Sequence, residues 1–352
     1  MKLKLLTGIF ISFILYNCSP KPTVSVSCEK DSRGNYLLKW ELFPDKKDVP
    51  IEIYISDNDT LFPSAPSMIA NSSDYIAVIK NPTEDIEQRK YFRIKVGGAT
   101  SAPVSNRFFE LDSIQNFRDL GGYRSSDGKK IRWGKIFRSG SFSRMTFHDS
   151  LELNSLGVNT VIDLRSRDVI RQNLNRYRIA DNIRLPISNN GYSSISQKVL
   201  DGMFLRGDAV IYTQDLYKDM VYNFTEEYAD FFDYLCDENN YPLVYHCYLG
   251  KDQTGLATYL LMRALDIPTD VIEDDYMASK IGIDRLKSVR NVSNLSESRQ
   301  EAFTMLTHTD LAYLRYAVSC IKQKSGSIDD YLLNEIKITP EKKEKLKNML
   351  LH

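Results

Sequence analysis

A cysteine at the end of a β-type run, followed by a glycine-bearing loop and a helix start, can hold and attack an oxyanion. The stretch VYHCYLGKDQTGLATYLLMRAL, 244–265, has this order. Residues 241–245 form a strand-like run, His246 and Cys247 follow, and Thr254 and Gly255 open an apolar helix expected over 255–265. The backbone N–H groups of Tyr248, Leu249, Gly250 and the residues up to Gln253 and Thr254 can converge on a phosphate. The positive end of the following helix adds to their pull. The same field favours the thiolate of Cys247, a nucleophile. Lys251 adds positive charge, and Asp252 is a carboxyl able to protonate a leaving alkoxide. A lone His-Cys pair would suit a buried strand-end cysteine in an ordinary turn. With GKD behind it and TG opening a helix, the site accounts for more of the pattern.

Other segments must meet this loop for the chemistry to work. In an open α/β sheet, ligands bind beyond the carboxyl ends of the strands. KIFRS (135–139) ends in Ser139, and NTVIDL (159–164) carries Asp163 near its end. Between them, Thr146 and Asp149 form a capping box for a helix running to Leu156 and closed by Gly157. Strand, helix and strand make a β-α-β unit with an expected right-handed crossover. Asp163, counted with Cys247, Lys251 and Asp252 among the candidate catalytic residues, and Arg165 are two residues apart and share a strand face. Asn223 with Glu226 predicts another helix start, with Phe224, Tyr228, Phe231, Phe232 and Leu235 on one side. Residues 301–323, 328–335 and 340–351 also read as helices. The half from 110 to 352 is therefore α/β, a mainly parallel sheet with flanking helices.

The half before it follows a different pattern. TVSVSC, NYLLKWEL, IEIYIS, YIAVI, KYFRIKV and NRFFEL are short alternating or β-branched runs separated by turn-rich stretches, which predicts an all-β sandwich over 24–109. Trp40, Tyr54 and Tyr91 resemble the aromatic placements of a fibronectin type III domain and are expected in its core. Residues 1–17 read as an export signal, with Lys2 and Lys4 before an apolar run to Tyr16. Cys18 follows in LYNC, which resembles the lipobox of bacterial lipoproteins. Lipidation at Cys18, a linker over 18–23 and a location in the cell envelope are the expectations. A plain secretory signal with an incidental cysteine is the alternative.

Lys+Arg and Asp+Glu are equal at 46, so no basic field points to nucleic acid. The histidines His148, His246, His308 and His352 are scattered, and no Cys/His spacing suggests a zinc site. No metal and no cofactor are expected. Cys28, Cys236, Cys247 and Cys320 lie far apart, which does not suggest a disulfide framework.

HCYLGKDQTG is similar to the HCxxGKDRTG loop of the bacterial atypical tyrosine phosphatases with a Cys-x5-Arg signature. QNFRDLGGYRSSDGKKIRWGKIFRSGSFSRMT, NTVIDLRSRDVI, EDDYMAS and GSIDDYLLNEIKITPEKKEKL resemble further segments of that family, in order. The resemblance implies a tyrosine-phosphatase-like fold and a phosphocysteine intermediate at Cys247. It also implies that Asp252 is the acid and that Lys251 supports the phosphate. Its substrates include phosphotyrosine, phosphoserine or phosphothreonine, and phosphoinositides. The expected partner is thus a phosphorylated protein, a phosphoinositide or a small phosphate ester. Gln253 stands where the family has arginine. Glutamine keeps an N–H2 donor but loses the charge and the bidentate fork. Arg118, in NFRDLGG, and Arg165 are candidates to compensate at the phosphate, though either can instead pair with a carboxylate. A weakened phosphatase is expected. A catalytically dead phosphate- or phosphopeptide-binding module is the alternative, and an adhesive surface protein is a third possibility.

Overall fold

The computed structural model describes residues 23–31, 33–80, 89–172, 174–175, 177, 181–188, 192–284 and 294–352. The export signal and Cys18 lie outside the described residues.

Alternation in short strands builds the N-terminal part. One antiparallel sheet contains β1 (Thr23–Lys30), β2 (Tyr36–Phe43) and β5 (Ile76–Ile79), in the order β1-β2-β5. The other contains β3 (Pro50–Ser56), β4 (Met68–Asn71), β6 (Tyr91–Val96) and β7 (Ala99–Thr100), in the order β4-β3-β6-β7. Tyr36, Leu38 and Trp40 meet Ile51, Ile53, Phe92 and Ile94 in one core. Of the three aromatics expected inside, only Trp40 belongs to this core. With Ile53 facing inward, the period of two turns Tyr54 to the other face, where Lys95 covers its ring at 4.7 Å. Tyr91 is half-buried and lies 5.3 Å below the guanidinium of Arg89.

Residues 101–109 belong to both halves. Val104 bridges to Phe92 of β6, while Phe108 bridges to Arg118 in the second sheet. The backbone N–H of Asp119 donates to Arg107 at 3.0 Å, and that of Phe109 to Phe117 at 3.2 Å. NRFFEL is therefore a connecting segment rather than a last strand of the first unit.

The second sheet contains β8 (Arg118–Asp119), β9 (Ile136–Ser139), β10 (Thr160–Asp163), β11 (Asp181–Arg184) and β12 (Leu243–His246). Its order is β11-β10-β12-β9-β8, parallel except for β8. β12 enters between β9 and β10, so Ser139, His246 and Asp163 stand side by side at one end. Helix α1 (Phe147–Ser155) has the expected Thr146–Asp149 capping box, and Gly157 follows it with φ +65°.

Three expectations about helices are corrected. Asn223 does not cap the helix after it. It ends α4 (Arg206–Asn223), with its amide on Asp219 Oδ1 at 2.6 Å, and Phe224 precedes α5 (Thr225–Leu235) without a side-chain cap. The helix after the loop, α6 (Gln253–Ala264), starts two residues before 255. The run 301–323 divides into Glu297–Thr307 and Leu311–Ser325, the second capped by Asp310. Helices Ile328–Asn334 and Pro340–Leu350 follow as expected. Tyr228, Phe231, Phe232 and Leu235 pack with β12 and α6 in the large core, which is what their spacing on α5 requires. Among the described residues, no helix is long and apolar enough to cross a membrane.

Candidate active site

The loop leaves β12 and is held from below by its carbonyl groups. The Tyr248 carbonyl accepts from the Ser141 N–H at 3.0 Å. The Leu249 and Gly250 carbonyls accept from Asn116 Nδ2 at 3.1 and 3.0 Å, and Arg138 Nη2 reaches Gly250 O at 2.8 Å. The Cys247 carbonyl lies 3.2 Å from His246 Nδ1. A peptide whose C=O is tied to the scaffold turns its N–H the other way. Among the described residues, the N–H groups of Leu249, Gly250, Lys251 and Asp252 donate to no protein acceptor. Gly250 has φ +71°, and an added Cβ would stand 2.4 Å from the Ser139 carbonyl. The tight approach of the loop to β9 thus requires glycine here.

The donors beneath the loop are themselves fixed by one carboxylate. Asp275, on α7 (Thr269–Met277), is fully buried. It accepts from Arg118 Nε at 3.0 Å and Arg138 Nη1 at 2.6 Å. Burial alone would raise its pKa, but the two guanidiniums hold the carboxyl well below the usual carboxylate range. Arg118 also contacts the Asn116 side-chain oxygen, which orients that amide toward the loop. Burial and the like charge of Arg138 lower the pKa of Arg118, and Asp275 opposes them. Arg118 is completely buried with its nitrogens engaged by Asp275, Asn116 and Ser279, so it belongs to the support of the loop and not to the expected phosphate ligands.

Arg165 has the opposite placement. It lines the pocket above the loop together with Tyr212, Leu216, Tyr248, Asp252 and Gln253. Asp163 holds it through Oδ1 on Nε at 2.9 Å and Oδ2 on Nη2 at 2.6 Å, and Nη1 donates to Ser141 Oγ at 3.0 Å. With both oxygens so engaged, Asp163 orients Arg165 and is not placed to move a proton in the pocket. Burial opposes ionisation of Asp163, and His246 with Arg165 more than offset it, so its pKa is lowered.

His246 is buried, and its pKa is lowered to about 4 by burial, with Asp163 acting the other way. It is therefore neutral at pH 7. Its Nδ1 faces the Cys247 carbonyl, and its Nε2 lies 3.0 Å from Asn175 Nδ2. The assignment that satisfies both puts the proton on Nδ1 and lets Nε2 accept. Phe142 stacks on the ring at 4.9 Å.

Cys247 is 1% exposed. Lys251 is equally buried and donates to Asp252 Oδ1 at 2.8 Å. Asp252 also lies close to a group of phenols. Tyr212, Tyr217 and Tyr276 are raised by burial, and the charge of Asp252 adds to each. Thr254 Oγ1 is buried without a hydrogen-bond partner. The fold thus brings Cys247, Tyr248, Leu249, Gly250, Lys251, Asp252, Gln253, Thr254, Asp163 and Arg165 together. Sequence reasoning gave no role to Asn116, Arg138, Asp275 or Asn175, although the first three lie within segments noted for their resemblance. Among the described residues, Asp112, His148 and Asp149 could approach one cation. The Asp149 carboxylate already accepts from the N–H groups of Asp112, Ser113 and Thr146, as a helix-capping group does.

Comparisons with known proteins identify the family of the second half of the chain. The tyrosine phosphatase family profile matches residues 109–352. A Cupriavidus necator protein named as a tyrosine-protein phosphatase is 25% identical over 245 residues, 65% of this chain and 84% of that protein. The triple specificity protein phosphatase PtpB of Mycobacterium tuberculosis is 24% identical over 261 residues, 63% of this chain and 92% of that protein. The core catalytic domain of the S. cerevisiae PP-IP phosphatase SIW14 aligns with 60% of the chain and 94% of its own length. That alignment has 13% identity and a TM-score of 0.29, too low to weigh further.

Two outcomes are expected. Asp275→Ala removes the counter-charge of two buried guanidiniums and should lower unfolding free energy by about 3–5 kcal/mol. Urea denaturation at pH 7 measures this, and a loss below about 1 kcal/mol would mean that the pair is compensated elsewhere. For His246 the folded pKa, about 4, lies below the unfolded value near ~6.5, so the unfolded chain binds the proton first. Its contribution is complete above the unfolded value and is lost as pH falls toward 4. Between pH 7 and pH 5 the wild type should lose about 2 kcal/mol to this group. His246→Asn should lose less by that amount, which denaturation of both proteins at the two pH values compares.

Proposed function

Since the chain belongs to the tyrosine phosphatase family and is a phosphatase hydrolase, we propose that it cleaves phosphomonoesters through a phosphocysteine at Cys247. The observation that carries this is the loop whose carbonyls are tied to the scaffold while the N–H groups of residues 249–252 have no acceptor among the described residues. Such donors, with the N-terminus of α6 behind them, suit the spread charge of a transferring phosphoryl group. The Cys247 sulfur attacks phosphorus as the P–O bond to the alcohol breaks, and Asp252 gives the leaving oxygen its proton. Water then attacks the phosphocysteine and returns a proton to Asp252. The S–P bond breaks, releasing orthophosphate and the thiolate. Lys251, on Asp252 at 2.8 Å, keeps positive charge beside the acid.

Gln253 sets the expected rate. Loss of a charge-assisted bidentate contact costs roughly 2–4 kcal/mol at the transition state, about 10²- to 10³-fold. Arg165 lines the same pocket and is the guanidinium that can offset part of this loss. Its hold on Asp163 limits how far it can follow the phosphate. Substrates are phosphotyrosine, phosphoserine or phosphothreonine esters, or phosphoinositides, in keeping with a relative named for triple specificity. The three-plus-four strand pattern of the N-terminal unit supports its being fibronectin type III-like. Lipidation at Cys18 would tether the whole chain to the cell envelope.

Gln253→Arg should raise turnover of aryl phosphates and phosphopeptides about 10-fold or more, while Cys247→Ser abolishes it. A folded Gln253→Arg with no gain would mean that Arg165 or Lys251 already supplies the charge. If neither form turns over any ester while both bind vanadate, the chain is a phosphate-binding module. Expressed in a bacterial host, the full chain should fractionate with the membrane and Cys18→Ser with the soluble fraction. Equal fractionation would remove the lipid anchor.

A further inference from the structure

The first unit sends one cation into the second. Arg89 stands two residues before β6 and is 7% exposed. Its Nη1 donates to Asp119 Oδ2, its Nη2 to the Asn106 carbonyl at 2.6 Å and its Nε to Ser105 Oγ at 2.8 Å. Its guanidinium lies 5.3 Å from the rings of Tyr91 and Phe109 and 5.2 Å from Trp133. Trp133 also lies against Gly121 and Gly122, where an added Cβ would come within 2.5 Å of it. Asp119 is completely buried and accepts also from the N–H groups of Gly121 at 2.6 Å and Gly134 at 2.7 Å.

Asp119 is one of only two residues in β8, and the other is Arg118. Neighbouring side chains on a strand leave opposite faces. Asp119 therefore meets Arg89 on one face while Arg118 meets Asp275 and Asn116 on the other. Asn116 and Arg138 in turn hold the Leu249 and Gly250 carbonyls. So short a strand, fixed on one face by a buried ion pair, cannot shift without carrying Arg118 with it.

We infer that the N-terminal two-sheet unit is part of the anion-binding machinery, with Arg89 acting through Asp119 and Arg118 as a positioning residue for the loop. This rests on the loop being the phosphate cradle proposed above. The unit is more than a spacer, because it supplies the counter-charge to a carboxylate buried beneath the site. Removing that charge should leave the loop in place but less sharply set.

The test compares full-chain wild type with Arg89→Ala and Arg89→Lys, and with Lys39→Ala as a control at the exposed Lys39–Glu29 pair of the same unit. Two readings are taken on folded protein: vanadate affinity, and the amide resonances of residues 249–252 in ¹⁵N-labelled chain. Arg89→Ala should weaken vanadate binding about 2- to 30-fold and shift or broaden the loop amides. Amides in helix Leu311–Ser325 should stay unchanged, Arg89→Lys should recover part of the loss, and Lys39→Ala should behave as wild type. A purely structural role would lower the folded fraction without changing the affinity of the molecules that remain folded. Wild-type affinity and unshifted loop amides in Arg89→Ala would therefore overturn the inference. If that variant does not fold, Arg89→Lys decides by the same readings. Loop amides shifted by Arg89→Ala, beside a wild type that binds no vanadate, would uphold the positioning and sink the phosphate reading instead.

Discussion

Everything at the site depends on a buried carboxylate that neutralises two buried guanidiniums. Asp275 sits between Arg118 and Arg138 with no exposure on any of the three side chains. Taking such charges out of water is expensive, and an apolar cluster of the same volume is often as stable. What the ionic version supplies is direction. A guanidinium is planar, with five N–H donors in fixed positions, so an anchor on one edge aims the other edge. Arg138, held by Asp275, aims at Gly250. Arg118, held by the same carboxylate, aims Asn116 at Leu249 and Gly250.

The row of N–H groups left without a protein acceptor in the loop is then a consequence of backbone satisfaction. Buried carbonyls must be paired, and here the scaffold beneath the loop offers the donors. Once those carbonyls are bound, the opposite edges of the same peptides are turned away from the scaffold. The positive φ of Gly250 lets the chain make this turn against β9. A neutral His246 fits the same economy, since its proton is used on the Cys247 carbonyl and its other nitrogen accepts from Asn175. Positive charge around the loop comes instead from Arg165 and Lys251, each paired with its own aspartate. This is the setting in which Gln253 opens α6.

The two halves of the chain are joined with similar economy. Residues 101–109 pair with β6 at one end and β8 at the other, so the connection is a shared strand-like segment. Arg89 crosses the same boundary as a side chain. Backbone and side chain therefore fix one geometry from two directions, which leaves β8 little freedom.

The sequence by itself determined the parts whose order is local. The strand–loop–helix with Cys247, the strands ending at Ser139 and Asp163, the Thr146–Asp149 cap and the inward face of α5 all rest on spacing and on neighbouring residue types, which a reader of one chain can see. It did not show α4, because Ala209, Thr213 and Tyr217 on its buried side make a weak apolar stripe. It also misplaced Asn223, whose amide has a nearer partner in Asp219. Only the tertiary structure decided which arginine does what. Arg118 and Arg165 are equally plausible as phosphate ligands in sequence. Arg118 lies under the loop because Asp275, 157 residues away, has claimed it, whereas Asp163, two residues away, turns Arg165 toward the pocket. Nor could spacing reveal that Arg89 neutralises Asp119 across the boundary between the halves. Long-range charge pairing leaves no periodic trace along a chain, because its partners are chosen by the way the sheet and helices bring distant segments together.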